Sequence, residues 1–154
     1  TSAVQTTRTP ENDSLSILLV DDNSINLKLA EALLKRCVAA NIIIHTAENG
    51  KEAVERFQQE SYALILMDIQ MPVMDGFSAT RRIRELEQQP ARKNVPAVPI
   101  IALTAGVSHK EQNKCFDAGM DDFISKPISF DKFRNIIAKW IPERTLSFIA
   151  GKNV

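Results

Sequence analysis

The chain has 154 residues, 44% apolar and 25% charged, and its 19 Lys and Arg balance 19 Asp and Glu. That size supports one domain with a substantial core, and a net charge of zero excludes a nucleic-acid footprint spread over the whole domain. No apolar run approaches the ~20 residues needed to span a bilayer, and no charged-then-apolar secretory leader opens the chain, so this domain is expected in the cytoplasm without membrane contact.

Residues 1–14 are rich in Ser, Thr, Asn and Gln and have no period; they read as a linker or disordered arm. The chain opens at Thr rather than Met, in keeping with a piece of something longer. An apolar run over 16–20 makes a first strand and ends abruptly in Asp21-Asp22-Asn23-Ser24. Asn23 or Ser24 can cap a helix over about 25–38. Ala30, Leu33, Leu34 and Cys37 form its core stripe, and Ile25, Leu29 and Ala32 form a second one. The second stripe reads either as the edge of a wide core face or as a partner-docking patch beside the acidic loop. Residues 41–46 are a β-branched strand containing His45, which has no companion at chelate spacing. Asn49-Gly50 punctuates, and 50–60 is an amphipathic helix with Ala53, Val54 and Phe57 inward.

The run Ala63 to Met67 has the length of a strand buried on both faces and delivers Asp68 at its end. Met71-Pro72 and Asp75-Gly76 then turn the chain into a helix ending near residue 87. Arg81, Arg82 and Arg84 on that helix read as a solvated face neutralised by Glu85 and Glu87. Residues 88–99 hold three prolines and read as a long surface loop. A fourth strand over 100–103 leads into Thr104-Ala105-Gly106. Ser108 caps a helix to about 118, stopped by Gly119; its apolar anchors are only Cys115 and Phe116, so it is expected to be the most mobile helix. His109 is expected in solvent. A short strand over 122–125 meets Lys126-Pro127, a step that invites a cis bond. Ser129 caps a last helix with Phe133, Ile136, Ile137 and Trp140 inward. The tail over 143–154 has no readable structure. Cys37 and Cys115 fall on separate helices and read as free buried thiols of a reducing compartment.

Five strands alternating with five helices imply an α/β fold, a parallel sheet with helices on both faces. In such a sheet the C-terminal strand ends share one edge. Asp21, Asp22, Asp68, Thr104 and Lys126 therefore converge. Singly, each has an ordinary structural reading as a cap or surface residue; together at one edge they make a site. Crowded carboxylates repel unless a cation joins them, and an all-oxygen set suits a hard divalent ion such as Mg²⁺. A Lys and a Thr opposite it could hold a tetrahedral dianion, as phosphoryl transfer requires, and a carboxylate there can serve as nucleophile.

These residues resemble the receiver (response-regulator) domain of phosphorelay signalling. The matching segments are Ile17-Leu-Leu-Val-Asp-Asp-Asn23, Leu66-Met-Asp-Ile-Gln-Met-Pro-Val-Met-Asp-Gly76, Ala102-Leu-Thr-Ala105 and Phe123-Ile-Ser-Lys-Pro127, within a domain over 15–142. Asn23-Ser-Ile-Asn26 and Met67-Asp-Ile-Gln-Met-Pro72 look most like receivers of hybrid histidine kinases, especially fungal ones. The resemblance implies a flavodoxin-like doubly wound five-stranded parallel sheet of order 2-1-3-4-5 with five helices, and Asp68 as phosphoacceptor. It also implies Mg²⁺ held by Asp22, Asp68 and the Gln70 backbone carbonyl, with Asp21 acting through water. Lys126 would contact the phosphoryl group, and Thr104 and Phe123 would form the switch. The implied donor is a phosphohistidine on a histidine-phosphotransfer protein or histidine kinase, docking over Ile25, Leu29 and Pro127. The domain would catalyse only its own phosphorylation and dephosphorylation.

Three other readings compete. An aspartate-nucleophile phosphatase usually carries a second Asp two residues after the nucleophile, where this chain has Gln70. A flavin binder would want a Gly- or Ser/Thr-rich phosphate loop where Asp21-Asp22 would repel the phosphate. A pure interaction module would not need the intact acidic set.

Overall fold

Among the described residues, five capping side chains start five α-helices, each of which follows the C-terminal end of a strand. Asn23 accepts from the amides of Ile25 and Asn26, Asn49 from Glu52, Asp75 from Ser78, Ser108 from Glu111 and Ser129 from Lys132. Each cap satisfies a helix-end amide that has no partner within its own helix. In the computed structural model, which describes residues 14–38, 41–106 and 108–141, the order is β1 (Leu15–Val20), α1 (Ser24–Cys37), β2 (Ile42–Ala47), α2 (Gly50–Gln59), β3 (Leu64–Asp68), α3 (Gly76–Glu87), a 3-10 turn (Pro90–Arg92), β4 (Ile100–Thr104), α4 (His109–Ala118), β5 (Asp122–Ser125) and α5 (Phe130–Trp140).

The sheet is parallel, in the order β2-β1-β3-β4-β5. The two-residue period of a strand sends alternate side chains to opposite faces. Leu18, Val20, Ile65, Met67, Ile100 and Ala102 therefore meet α2, α3 and α4 through Ala53, Phe57, Ile83 and Cys115. Ile17, Leu19, Leu64, Leu66, Ile101 and Leu103 meet α1 and α5 through Leu27, Leu34, Phe133 and Ile137. β3 and β4 are buried along their whole length, which is why their sequences run apolar without alternation. Gly119 takes a left-handed φ of 107° to close α4, a conformation that favours Gly.

Several sequence expectations need correction. α1 turns Leu27, Ala30, Leu33, Leu34 and Cys37 inward, while Ile25 is 73% and Leu29 46% exposed and Ala32 lies in solvent. The second stripe is thus not part of the core: α1 has a single neighbour layer, and an apolar arc wider than that layer remains outside. Phe116 is half exposed while Cys115 is buried, because neighbours on a helix diverge by about 100° and only one of the two can face the sheet. Arg84 is not part of a solvated face. Its guanidinium donates to the carbonyls of Gly119 and Val98 and pairs with Glu87 and Asp121. The 88–99 segment contains the 3-10 turn, and Arg92 lies 4.2 Å over the Phe57 ring and donates to its carbonyl, so the loop is fastened to α2. β2 lies one residue later than expected, and α2 ends one residue earlier. His45 bonds the Tyr62 hydroxyl at 2.8 Å, a strand residue as expected. His109 is exposed, and both cysteines are free and buried. Of the arm expected over 1–14, residues 1–13 lie outside the described residues, as does the tail over 143–154.

Candidate functional site

Register brings the site together. Val20 lies beside Met67, Asp68 beside Leu103 and Thr104 beside Ser125. Asp21, Asp68, Thr104 and Lys126 therefore end up level at one edge of the sheet. Asp21 continues the ladder through its amide to the Ala47 carbonyl, and Lys126 does so through its amide to the Thr104 carbonyl. Both side chains are aimed by backbone bonds that belong to the fold.

Ligand oxygens of Asp21, Asp22 and Asp68 lie within 4.8 Å of one another. Asp21 and Asp68 are buried, and Asp22 is exposed at the rim. Lys126 Nζ stands 3.0 Å from Asp68 Oδ1 and 3.6 Å from Asp21 Oδ2. Burial raises the Asp68 pKa above the ordinary carboxylate value. The Lys126 hydrogen bond opposes that rise, and the Asp21 and Asp22 charges add to it. Burial alone would lower Lys126, but its hydrogen bond to Asp68 and the charges of Asp68 and Asp21 outweigh it and raise its pKa. Lys126 is therefore an ammonium at neutral pH. Three carboxylates facing one ammonium leave an excess of two negative charges when all are ionised. A hard divalent cation matches both that charge and the oxygen donors.

The residues around the cluster hold it still. Asp21 Oδ1 accepts from the Asn23 amide at 2.9 Å, and its Oδ2 accepts from Asn26 Nδ2 at 3.3 Å. Asn26 had no role in the sequence reading. Its position three residues after the Asn23 cap, one helical turn above Asp21, was the available signal. The Thr104 hydroxyl is buried and donates to the Gly106 carbonyl. Phe123 is half buried, and its ring meets that of Phe116 edge-on at 6.4 Å. Gln70 is exposed on the rim of the cleft of about 290 Å³ that also holds Asp21, Asp22, Asp68 and Lys126.

The β3–α3 loop is tightly folded. The Met74 amide donates to the Pro72 carbonyl across Val73, whose φ is 70°. That is a strained conformation for a β-branched residue. Gly76 closes the loop by donating to the Ile69 carbonyl at 2.8 Å, and a Cβ there would overlap the Asp68 carbonyl oxygen. The Lys126-Pro127 peptide is cis, as expected. Beside the acidic cleft an apolar hollow of about 420 Å³ lies between α1 and the loop after β5, lined by Leu27, Leu29, Ala30, Pro127 and Ile128 among others. Leu29 and Pro127 thus share one surface, and Ile25 stands exposed on the same helix as Leu29.

The match to known proteins follows the same geometry. Residues 17–138 match the family described as response regulator receiver domain. The chain is 49% identical over 117 residues to hybrid signal transduction histidine kinase B of Dictyostelium discoideum, covering 73% of this chain and 6% of that protein. It is 42% identical over 124 residues to sensor protein GacS of Pseudomonas syringae pv. syringae, covering 80% of this chain and 13% of that protein. The chain therefore spans only a small part of these relatives. Solved structures are similar too, and two of them bear on the site. One is the co-crystal structure of the Saccharomyces cerevisiae histidine phosphotransfer signaling protein Ypd1 and the receiver domain of its downstream response regulator Ssk1, with a TM-score of 0.74 at 32% identity, covering 82% of this chain and 88% of that one. The other is the receiver domain of sensor histidine kinase PA1611 from Pseudomonas aeruginosa PAO1, with magnesium coordinated in its active site cleft. Its TM-score is 0.69 at 35% identity, covering 84% of this chain and 99% of that one.

Proposed function

The chain belongs to the response regulator receiver domain family, and on that premise we propose that it accepts a phosphoryl group from a phosphohistidine onto Asp68. The observation that carries this reading is Asp68 itself: a buried carboxylate at a strand end, hydrogen-bonded to a lysine and flanked by two further carboxylates. In the transfer, an Asp68 carboxylate oxygen attacks phosphorus as the P–N bond breaks. The bond's electron pair stays on the imidazole nitrogen, and an acyl phosphate forms. Lys126, already charged, passes from the carboxylate to the phosphoryl oxygens. Asp22, Asp68 and the Gln70 carbonyl would hold Mg²⁺, with Asp21 acting through water, and the ion would supply charge neutralisation of the phosphoryl group. The Asn23 and Asn26 bonds to Asp21 fit that indirect part, since they hold its oxygens in place.

Thr104 and Phe123 form the switch in this reading. The Thr104 hydroxyl gives up the Gly106 carbonyl for a charge-assisted bond to the phosphoryl group, which is the stronger of the two, and Phe123 moves with it. The donor is a histidine-phosphotransfer protein or a histidine kinase docking over Ile25, Leu29 and Pro127. The exposed apolar stripe beside the hollow supports this, as does the yeast receiver's co-crystal with a phosphotransfer protein. The domain, over residues 15–142, turns over no external substrate. It works in the cytoplasm, and as the receiver of a hybrid histidine kinase; the likeness to hybrid signal transduction histidine kinase B supports the second of these.

Incubation with Mg²⁺ and acetyl phosphate, or with a phosphorylated phosphotransfer protein, followed by intact-mass measurement tests this. A single alkali-labile phosphoryl adduct, absent in Asp68→Asn, is expected. No adduct with either donor rejects the reading.

A further inference from the structure

Lys132 is placed against the usual preference of a helix. It is the third residue of α5, after the Ser129 cap, and its amide donates to Ser129 Oγ. The start of a helix disfavours cations, and a capping box would put Glu or Gln at this position. Here the Lys132 side chain runs back past the start of α5, the direction in which helical side chains lean. Its ammonium lies 2.8 Å from the Ser125 carbonyl, 3.1 Å from Ser125 Oγ and 3.0 Å from the Pro127 carbonyl. An ammonium has three protons, so these three acceptors account for all of them. All three belong to the residues immediately before and after Lys126.

Lys126 is thereby fixed from three directions. Its own amide is tied to the Thr104 carbonyl at 2.7 Å, and Ser125 on one side and Pro127 on the other are both fastened to Lys132. We infer that Lys132 is a positioning residue for Lys126, holding the Ser125–Pro127 turn so that the Lys126 ammonium meets the phosphoryl group at Asp68. This rests on the phosphoacceptor reading above. Lys132 makes no hydrogen bond to Asp21, Asp22 or Asp68, so its removal leaves the metal ligands in place. What it loosens is the group that has to align with the transferring phosphorus, where small misplacements cost rate heavily.

The test compares wild type, K132M and S125A for the rate of acetyl phosphate-driven phosphorylation per folded molecule, the Mg²⁺ concentration at half-maximal rate, and stability in urea. K132M should lower the maximal rate roughly tenfold or more while half-saturation by Mg²⁺ stays at the wild-type value. S125A keeps the ammonium's charge and removes one of its anchors, so a smaller fall in maximal rate is expected. A merely structural role would lower stability and leave the rate per folded molecule unchanged, which would overturn the inference. A slow K132M beside a wild-type S125A would assign the effect to charge rather than position and would also overturn it. Should K132M not fold, S125A decides alone. If wild type itself takes no phosphoryl group, the phosphoacceptor reading fails instead, and the control rate distinguishes the two failures.

Discussion

Lys126 Nζ donates to Asp68 Oδ1 at 3.0 Å, joining the end of β5 to the end of β3 across the intervening strand β4. The bond holds the cation against a buried carboxylate whose pKa burial raises. Replacing Lys126 by Met removes the cation without removing a metal ligand. Phosphorylation by acetyl phosphate should slow by roughly a hundredfold, the usual cost of losing one stabilising donor. Mg²⁺ affinity should be retained or rise, since no carboxylate ligand is lost and the ammonium that competes with the ion for Asp68 and Asp21 is gone. Titration of Mg²⁺ by intrinsic fluorescence or NMR, alongside the rate, checks both halves.

Docking separates from chemistry. Ile25 lies in the first turn of α1, 73% exposed, and is not one of the groups that hold the acidic cluster together. Ile25→Asp should weaken phosphotransfer from a histidine-phosphotransfer protein roughly tenfold, the order of a lost apolar contact at an interface plus like-charge cost. Phosphorylation by acetyl phosphate should be unchanged. Equal losses with both donors would place Ile25 in the fold rather than in an interface.

Gly76 tests how closely the loop after β3 is fitted to Asp68. A methyl group there meets the Asp68 carbonyl oxygen and the Ile69 Cα, both backbone atoms that cannot swing aside. Gly76→Ala should cost roughly 1–3 kcal/mol in urea unfolding and also slow phosphorylation. Wild-type stability in that variant would mean that the loop is free to shift.

Asp122 gives a pH dependence. Burial pushes its carboxyl up, but the hydrogen bonds from Lys139, the Phe123 amide and Trp140 outweigh it, and its pKa lies below the usual value. A carboxylate depressed by folding contributes stability above its unfolded pKa, near 3.9, and loses it as pH falls through the folded value. Asp122→Asn should therefore cost about 1 kcal/mol at neutral pH, given the exposure of Lys139. The difference from wild type should shrink below about pH 4. Urea melts across pH 3 to 7 measure it. A constant difference would point to lost packing instead of charge.

Much of this molecule could be read from the chain alone. Five strand-helix alternations, the caps at Asn23, Ser108 and Ser129, and the strand-end placement of Asp21, Asp22, Asp68, Thr104 and Lys126 follow from patterns a few residues long. Parallel pairing then carries every strand end to one edge, so local order suffices to assemble the cluster. Asn49 and Asp75 escaped as caps because Asn-Gly and Asp-Gly read first as turns.

What the chain alone leaves open is every choice that depends on a distant neighbour. Two apolar stripes on α1 look alike in sequence; only packing against β1, β2 and α5 buries Leu27 and Leu34 and leaves Ile25 and Leu29 outside. Arg84 shares its composition with Arg81 and Arg82, yet its bonds to Val98, Gly119 and Asp121 arise only when α3 lies beside β4 and the start of β5. Lys132 likewise resembles any helix lysine until the turn after β5 folds back beneath it. The hydrophobic pattern sets which elements form, and the three-dimensional contacts between elements far apart in sequence set which polar groups find partners.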